Sequence, residues 1–247
     1  MSGKIYLVAT PIGNLEDITL RAIRVLKEVD IVVAEDTRQT LKLLNHLEIS
    51  KPMISYHRHS TENRLEEIFE KVKSGNNIAL VSDAGTPVIS DPGEDIVKRA
   101  IKENIEIIPI PGPCALIAAL IASGIDAKEF AFLGFLPLNK KSRKNKLNEI
   151  KLANKTTILY EAPHKLKETL NDLKEFTENR KIVLARELTK IHEEYITGTA
   201  KELLDKMQEP KGEFVIVIDK NEEKENNIFE EMSLEEHYSY YESKRIW

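Results

Sequence analysis

Short apolar runs and amphipathic stretches alternate along nearly the whole chain. The runs at residues 5–9, 30–34, 53–55, 78–81 and 105–110 read as buried strands. Between them, residues 20–27, 40–46, 61–73 and 94–102 place their apolar side chains at helical spacing. Apolar strands separated by amphipathic helices predict an α/β domain with a mostly parallel sheet covered on both faces. The alternation breaks at Pro109-Ile110-Pro111-Gly112-Pro113, where three prolines and a glycine constrain the backbone. A first domain is therefore expected over residues 1–110 and a second over 111–219.

The second half opens with an apolar helix at 115–122, and strands recur at 130–135, 156–160, 182–185, 194–197 and 214–219. Helices are expected at 143–152, 164–176 and 200–207. Short links between the last strands predict more antiparallel pairing there than in the first half. Residues 220–227 form a polar, charge-rich run that reads as a linker, and a further helix is expected to begin near Leu234. The tail over 220–247 is expected to be short and dispensable for ligand binding.

Composition narrows the class. At 247 residues with 41% apolar and 31% charged side chains, the chain has enough material for two α/β cores. No apolar run approaches the roughly 20 residues of a membrane span. No signal peptide is recognisable, and the single cysteine, Cys114, excludes an internal disulfide. A cytoplasmic protein without membrane attachment is expected. The net charge of −5 argues against indiscriminate polyanion binding, but leaves room for a local basic patch.

The candidate chemistry lies in loops after strands. Ala9-Thr10-Pro11-Ile12-Gly13-Asn14-Leu15-Glu16-Asp17 follows the first strand, and neither a G-x-G-x-x-G fingerprint nor a P-loop sequence occurs. Leu80-Val81-Ser82-Asp83-Ala84-Gly85-Thr86-Pro87-Val88-Ile89-Ser90-Asp91-Pro92-Gly93 follows the fourth, and Pro111-Gly112-Pro113-Cys114-Ala115 the fifth. Ligands of open α/β sheets bind outside the carboxyl ends of the strands, where such loops expose backbone N–H and C=O groups. Each loop alone reads equally well as a tight turn. Glu35-Asp36-Thr37-Arg38 and Ala185-Arg186-Glu187-Leu188-Thr189-Lys190 are charged strand ends; the first supplies either a general base or a helix cap. His57 and His59 have no third ligand nearby in sequence, so no metal site is expected. Lys140-Lys141-Ser142-Arg143-Lys144-Asn145-Lys146 carries five positive charges in seven residues, either as a solvated helix start or as a phosphate contact.

Taken in order, TPIGNLEDIT, AEDTR, LVSDAGTPVISDPG, PGPCA, GFLP, YEAPH and ARELTK resemble the ribosomal RNA small subunit methyltransferase I family. That family is a branch of the tetrapyrrole-methylase-like superfamily of S-adenosylmethionine-dependent enzymes. The likeness runs from about Ile5 to Asp219. It implies two α/β domains with the methyl donor in the cleft between them, a homodimer, and 2′-O-methylation of a cytidine in the decoding region of 16S ribosomal RNA. On that basis Ile12, Asp83, Ala84, Gly85, Thr86, Cys114, Ala115 and Glu161 are expected to contact the donor. Asp36 and Glu187 are the candidate bases. Arg38, Lys140, Lys141, Arg143, Lys144 and Lys190 are the candidate contacts to RNA in the small ribosomal subunit, with Lys165 adding charge. Charge reversal at Lys141 and Arg143 is expected to weaken RNA binding. A tetrapyrrole C-methyltransferase is disfavoured because the first loop reads TPIGNLED rather than a GxGPGD-like sequence. A non-catalytic ribosome-binding factor would bind through the basic helix without transferring a methyl group.

Overall fold

The structure is a computed structural model, and it describes residues 2–207 and 209–221. The expected linker beyond residue 221 and the helix near Leu234 lie outside the described residues. The first sheet holds β1 (Ile5–Val8), β2 (Ile31–Ala34), β3 (Met53–Ser55), β4 (Ile78–Val81) and β5 (Ile107–Ile110) in the order β3-β2-β4-β1-β5. All its pairings are parallel, as the unbroken apolar runs predicted. Alternate residues feed two cores. Ile5, Val33 and Leu80 face Phe69, Ile68 and Val72, whereas Val8, Val32 and Val81 face Val25, Leu26 and Leu44.

The helices covering this sheet are α1 (Leu20–Glu28), α2 (Thr37–His46), α3 (Glu62–Lys73) and α4 (Glu94–Lys102). Their starts are set by local chemistry. The Thr19 hydroxyl accepts the Ala22 N–H at the start of α1, and the Asp36 carboxylate accepts the Arg38 N–H at the start of α2. Helix α2 thus begins three residues earlier than the hydrophobic pattern indicated, because the cap is polar.

The second sheet is mixed. It contains β6 (Phe130–Gly134), β7 (Thr156–Glu161), β8 (Ile182–Arg186), β9 (Glu194–Gly198) and β10 (Phe214–Ile218), in the order β6-β7-β10-β8-β9. Among the described residues, only the β6–β7 pair of this sheet is parallel. Strand β10 is buried along its whole length and bonds to neighbours on both sides. Helix α5 (Ala115–Ala122) covers one face through Leu116, Ala119 and Leu120. Helices α6 (Lys140–Leu152), α7 (Pro163–Phe176) and α8 (Ala200–Lys206) cover the other through Ile150, Leu170 and Leu203. Helix α6 starts at Lys140 rather than at 143 because the Asn139 side chain accepts the Lys141 and Ser142 N–H groups at 3.0 and 3.2 Å.

The strand order explains where a ligand can sit. Strands β4 and β1 are neighbours, yet the chain leaves β1 toward β2 and leaves β4 toward β5, in opposite directions along the sheet. A crevice opens at the carboxyl ends of strands that diverge in this way. The two loops leaving it are tied together by a pair of backbone bonds, Thr10 N–H to the Gly85 carbonyl (2.9 Å) and Gly85 N–H to the Thr10 carbonyl (3.0 Å).

Candidate active site

A cleft of about 600 Å³ opens at this crevice and continues onto the second sheet, at the carboxyl ends of β6 and β7 and the amino end of β10. The loop after β1 contributes Ile12, and the residue just after β2 is Glu35. The loop after β4 supplies Asp83, Ala84, Gly85 and Thr86, and further on Ile89, Ser90 and Asp91. Cys114 and Ala115 open α5. Phe135, Tyr160, Glu161 and Leu188 face them from the second sheet. Ile12, Asp83, Ala84, Gly85, Thr86, Cys114, Ala115 and Glu161, dispersed over 150 positions, thus lie on the wall of one cavity.

The wall is built for close approach. Gly85 has φ +90, and a Cβ there would lie 3.2 Å from Ile12 Cγ2 and 3.8 Å from the Pro113 carbonyl. Thr86 donates its hydroxyl to that same carbonyl at 3.1 Å, locking the loop after β4 to the loop after β5. Such a cradle, with small residues and exposed main chain, fits a flat, polar-edged ligand such as a nucleoside. Tyr160 anchors the other wall: its hydroxyl accepts the Leu116 N–H, and its ring meets Phe132 and Phe135 edge-on at 4.8 and 5.8 Å. Burial pushes the Tyr160 hydroxyl up to about 12.

Glu161 enters a polar chain that runs away from the cleft. Its carboxylate accepts the Ala162 N–H and the Thr169 hydroxyl, Thr169 accepts from Arg143, and Arg143 also pairs with Asp172 at 2.6 Å. Arg143 is only 8% exposed. The expectation that it touches RNA is therefore corrected: it pins α6 to the cleft wall. Lys140, Lys141 and Lys144 are exposed on the same helix.

The two candidate bases fall outside the cleft lining. Asp36 caps α2 and forms an ion pair with Arg38 at 2.8 Å. The Arg38 guanidinium holds its carboxyl down to about 2, too acidic to take a proton from a hydroxyl. Glu187 accepts from Lys190 at 2.9 Å and from the Glu213 N–H at 2.9 Å, and these bonds, the lysine first, keep it below the usual carboxylate range. Lys190 also bonds Glu213 at 2.8 Å, while its aliphatic stem occupies the space a Cβ on Gly13 would need. Glu187, Lys190 and Glu213 thus form one bonded cluster in which Lys190 is occupied by two carboxylates. Arg38 remains exposed at the rim.

Other acids do line the cavity. Burial raises Glu35, with the Asp83 charge adding to the effect. Burial likewise pushes Asp91 up to about 7, reinforced by Glu35 and opposed by Arg58. Glu35 reads in the sequence as one of two carboxylates at a strand end that serve as base or cap, and Asp91 carries no signal of its own there, because the contacts that shift them join different loops. Among the described residues, no group of three or more His, Cys, Asp or Glu side chains is placed to hold a metal ion. No described helix is long and apolar enough to cross a membrane.

Comparison with known proteins locates this geometry. The profile of the family described as Tetrapyrrole (Corrin/Porphyrin) Methylases matches residues 4–204. This chain belongs to the tetrapyrrole methylase family. Within the family it is similar to proteins named ribosomal RNA small subunit methyltransferase I. The relative from Halalkalibacterium halodurans is 50% identical, over 97% of this chain and 84% of the relative. The one from Synechocystis is 52% identical, over 87% of this chain and 78% of the relative. Among solved structures, the methylase fold recurs in uroporphyrin-III C-methyl transferase from Thermus thermophilus complexed with S-adenyl homocysteine. Its TM-score is 0.63 at 16% identity, covering 88% of this chain and 97% of that one. Diphthine synthase gives a TM-score of 0.68 at 14% identity, over 88% and 90% of the two chains. The overall fold of this chain is therefore shared with those solved structures.

Proposed function

We propose that this protein transfers a methyl group from S-adenosylmethionine to the ribose 2′-hydroxyl of a cytidine in the decoding region of small-subunit ribosomal RNA. One observation carries the reading. The motifs that resemble the RNA-methylating family, from four loops of the first sheet and the strand ends of the second, converge on one cavity in a chain about half identical to proteins of that name. The solved relative bound to S-adenyl homocysteine supports the donor. Ile12, Ala84, Gly85, Thr86, Cys114 and Ala115 would hold the donor's nucleoside and amino-acid parts. When bound, the donor supplies an activated methyl group on a sulfonium. The chain's own task is to align the ribose oxygen with that carbon, which contributes several kcal/mol to lowering the barrier, and to receive the hydroxyl proton.

The substrate is read as the assembled small subunit, bound by a homodimer. An acidic chain gains little from phosphates in general, so prefolded RNA presented to a local basic surface is the better fit. Lys140, Lys141 and Lys144 supply that surface, held to the cleft by the buried Arg143. Reversing Lys141 and Lys144 to glutamate is expected to weaken subunit binding. It should also flatten the dependence on salt by roughly one unit of slope for each lost phosphate contact. Donor affinity should be unchanged. A salt slope identical to that of the unsubstituted protein would remove α6 from the RNA surface.

The reading itself is tested by radiolabelled methyl transfer to small subunits lacking the modification, with mapping of the labelled nucleotide. Label on a cytidine ribose of the decoding region is the expected result. Label on a base atom or on a tetrapyrrole would overturn the assignment, and binding without transfer would favour a non-catalytic factor.

A further inference from the structure

The carboxylates around the cleft are unequally committed. Asp83 accepts the Asp36 N–H at 2.9 Å, Glu161 is satisfied by Ala162 and Thr169, and Glu213 pairs with Lys190. Glu35 and Asp91 line the cavity without an ion pair among the described residues. Of these two, Asp91 sits on the loop that reaches across to the second sheet.

That loop is held in an unusual shape. Val88 and Ser90 have φ +74 and +66, where a side-chain-bearing residue costs about 1–3 kcal/mol unless its surroundings enforce it. The surroundings do. The Arg58 guanidinium donates to the Ser90 carbonyl. The Leu80 side chain fills the space beside Gly93, where a Cβ would meet it at 2.6 Å. Ser90 Oγ lies against Gly134, 3.3 Å from where a Cβ would stand, so the loop touches the end of β6. The next residue after Gly134 is Phe135, 54% exposed and facing the same cavity. An open aromatic face is a surface on which a nucleobase stacks. Strained backbone is thus maintained where it carries a carboxylate to the wall facing an aromatic platform.

We propose that Asp91 is the catalytic base that accepts the ribose 2′-hydroxyl proton during methyl transfer, an assignment that rests on the RNA-methylating reading above. As the ribose oxygen forms its bond to the methyl carbon, the methyl–sulfur bond breaks and its electron pair stays on sulfur. The hydroxyl proton passes to the Asp91 carboxylate and is later released to solvent. The groups facing Asp91 tune it for this step. Burial and the charges of Glu35 and Asp83 raise its carboxyl, Arg58 and the Ser82 hydroxyl lower it, and the balance lies at about 7. Tyr160, on the opposite wall, stays protonated across the working range. A base whose pKa lies near the working pH is both available and strong enough to help.

The test is single-turnover methyl transfer to small subunits at saturating donor, between about pH 5 and 9. The unsubstituted protein should speed up as pH rises and level off above a midpoint near 7. Asp91→Asn should lower the plateau by roughly 10²–10⁴-fold and abolish the midpoint. Its donor affinity by calorimetry should stay the same, and Asp91→Glu should restore part of the rate. Glu35→Gln should move the midpoint down and Arg58→Ala should move it up, shifts that a purely structural role would not produce.

A readout independent of turnover follows from linkage. A raised carboxyl keeps its proton in the folded chain after the unfolded chain has released it. Stability should therefore fall as pH rises from the ordinary 3.8 to about 7, and Asp91→Asn should remove that loss. Full activity with an unchanged profile in Asp91→Asn would overturn the base assignment alone. Collapse of donor affinity in that variant would also overturn it, by making Asp91 a donor contact. Absence of methyl transfer by the unsubstituted protein would overturn the RNA-methylating reading and the role of Asp91 with it.

Discussion

Replacing Gly85 with valine is expected to weaken S-adenosylmethionine binding by ~100-fold or more, roughly 3 kcal/mol, while the chain stays folded. Gly85 sits at φ +90, a conformation that a β-branched residue adopts only under strain of about 1–3 kcal/mol. The first carbon added already stands 3.2 Å from Ile12 Cγ2, so the valine methyls must displace Ile12 or enter the cavity. Ile12 and Gly85 both line the cleft, and either outcome takes space from the donor. The paired bonds between Thr10 and Gly85 use only main-chain atoms and can survive the change. Calorimetric titration checks the affinity, and a denaturant melt run in parallel checks the fold. An unchanged affinity would show that the donor does not lie against Gly85.

Replacing Arg143 with alanine is expected to cost about 2–4 kcal/mol of stability. The lower bound reflects an Asp172 side chain 32% exposed that water can partly rescue, and the upper bound approaches the cost of breaking a buried pair. The loss spreads along a chain, because Thr169, fully buried, relies on Arg143 on one side and serves Glu161 on the other. Lys141→Ala and Lys144→Ala, at exposed positions of the same helix, should each stay within roughly 0.5 kcal/mol. Arg143→Lys should recover only part, since one ammonium cannot serve Asp172 and Thr169 with the geometry of a guanidinium fork. Urea midpoints at constant slope decide the matter. An alanine variant as stable as the lysine controls would mean that Asp172 and Thr169 find other partners.

Arg143 also shows how far the sequence could be read. It stands in a run of lysines and reads as one more surface charge. Yet Arg143, Leu147 and Ile150 are spaced by four and three, which places the arginine on the buried stripe of α6. That signal was present and outweighed by composition. The sheets and the loops that line the cleft were legible for a different reason: their information is local, carried by apolar runs and by glycines and prolines within a few positions. Asp36 was ambiguous in sequence because a carboxylate at a strand end serves equally as base or cap, and only the Arg38 contact distinguishes them. Asp91 was illegible. Its environment is assembled from Glu35 just after β2, Asp83 after β4 and Arg58 after β3, and no spacing within one segment reports such a meeting.

The position of β10 bears on how the molecule is made. A ribosome emits the chain from its amino end, and all five strands of the first sheet have been synthesised once residue 110 has emerged. The second sheet has no such early completion. Among the described residues, strand β7 and the β8–β9 hairpin are joined in the sheet through Phe214–Ile218, the last described strand to be translated. Until then two sticky edges face an empty slot, in a nascent chain whose first half is already able to fold. The wall of the cleft that carries Tyr160 and Glu161 is therefore the last to set, so that a chain stalled late in synthesis would hold the first sheet's cleft loops opposite an unfinished wall.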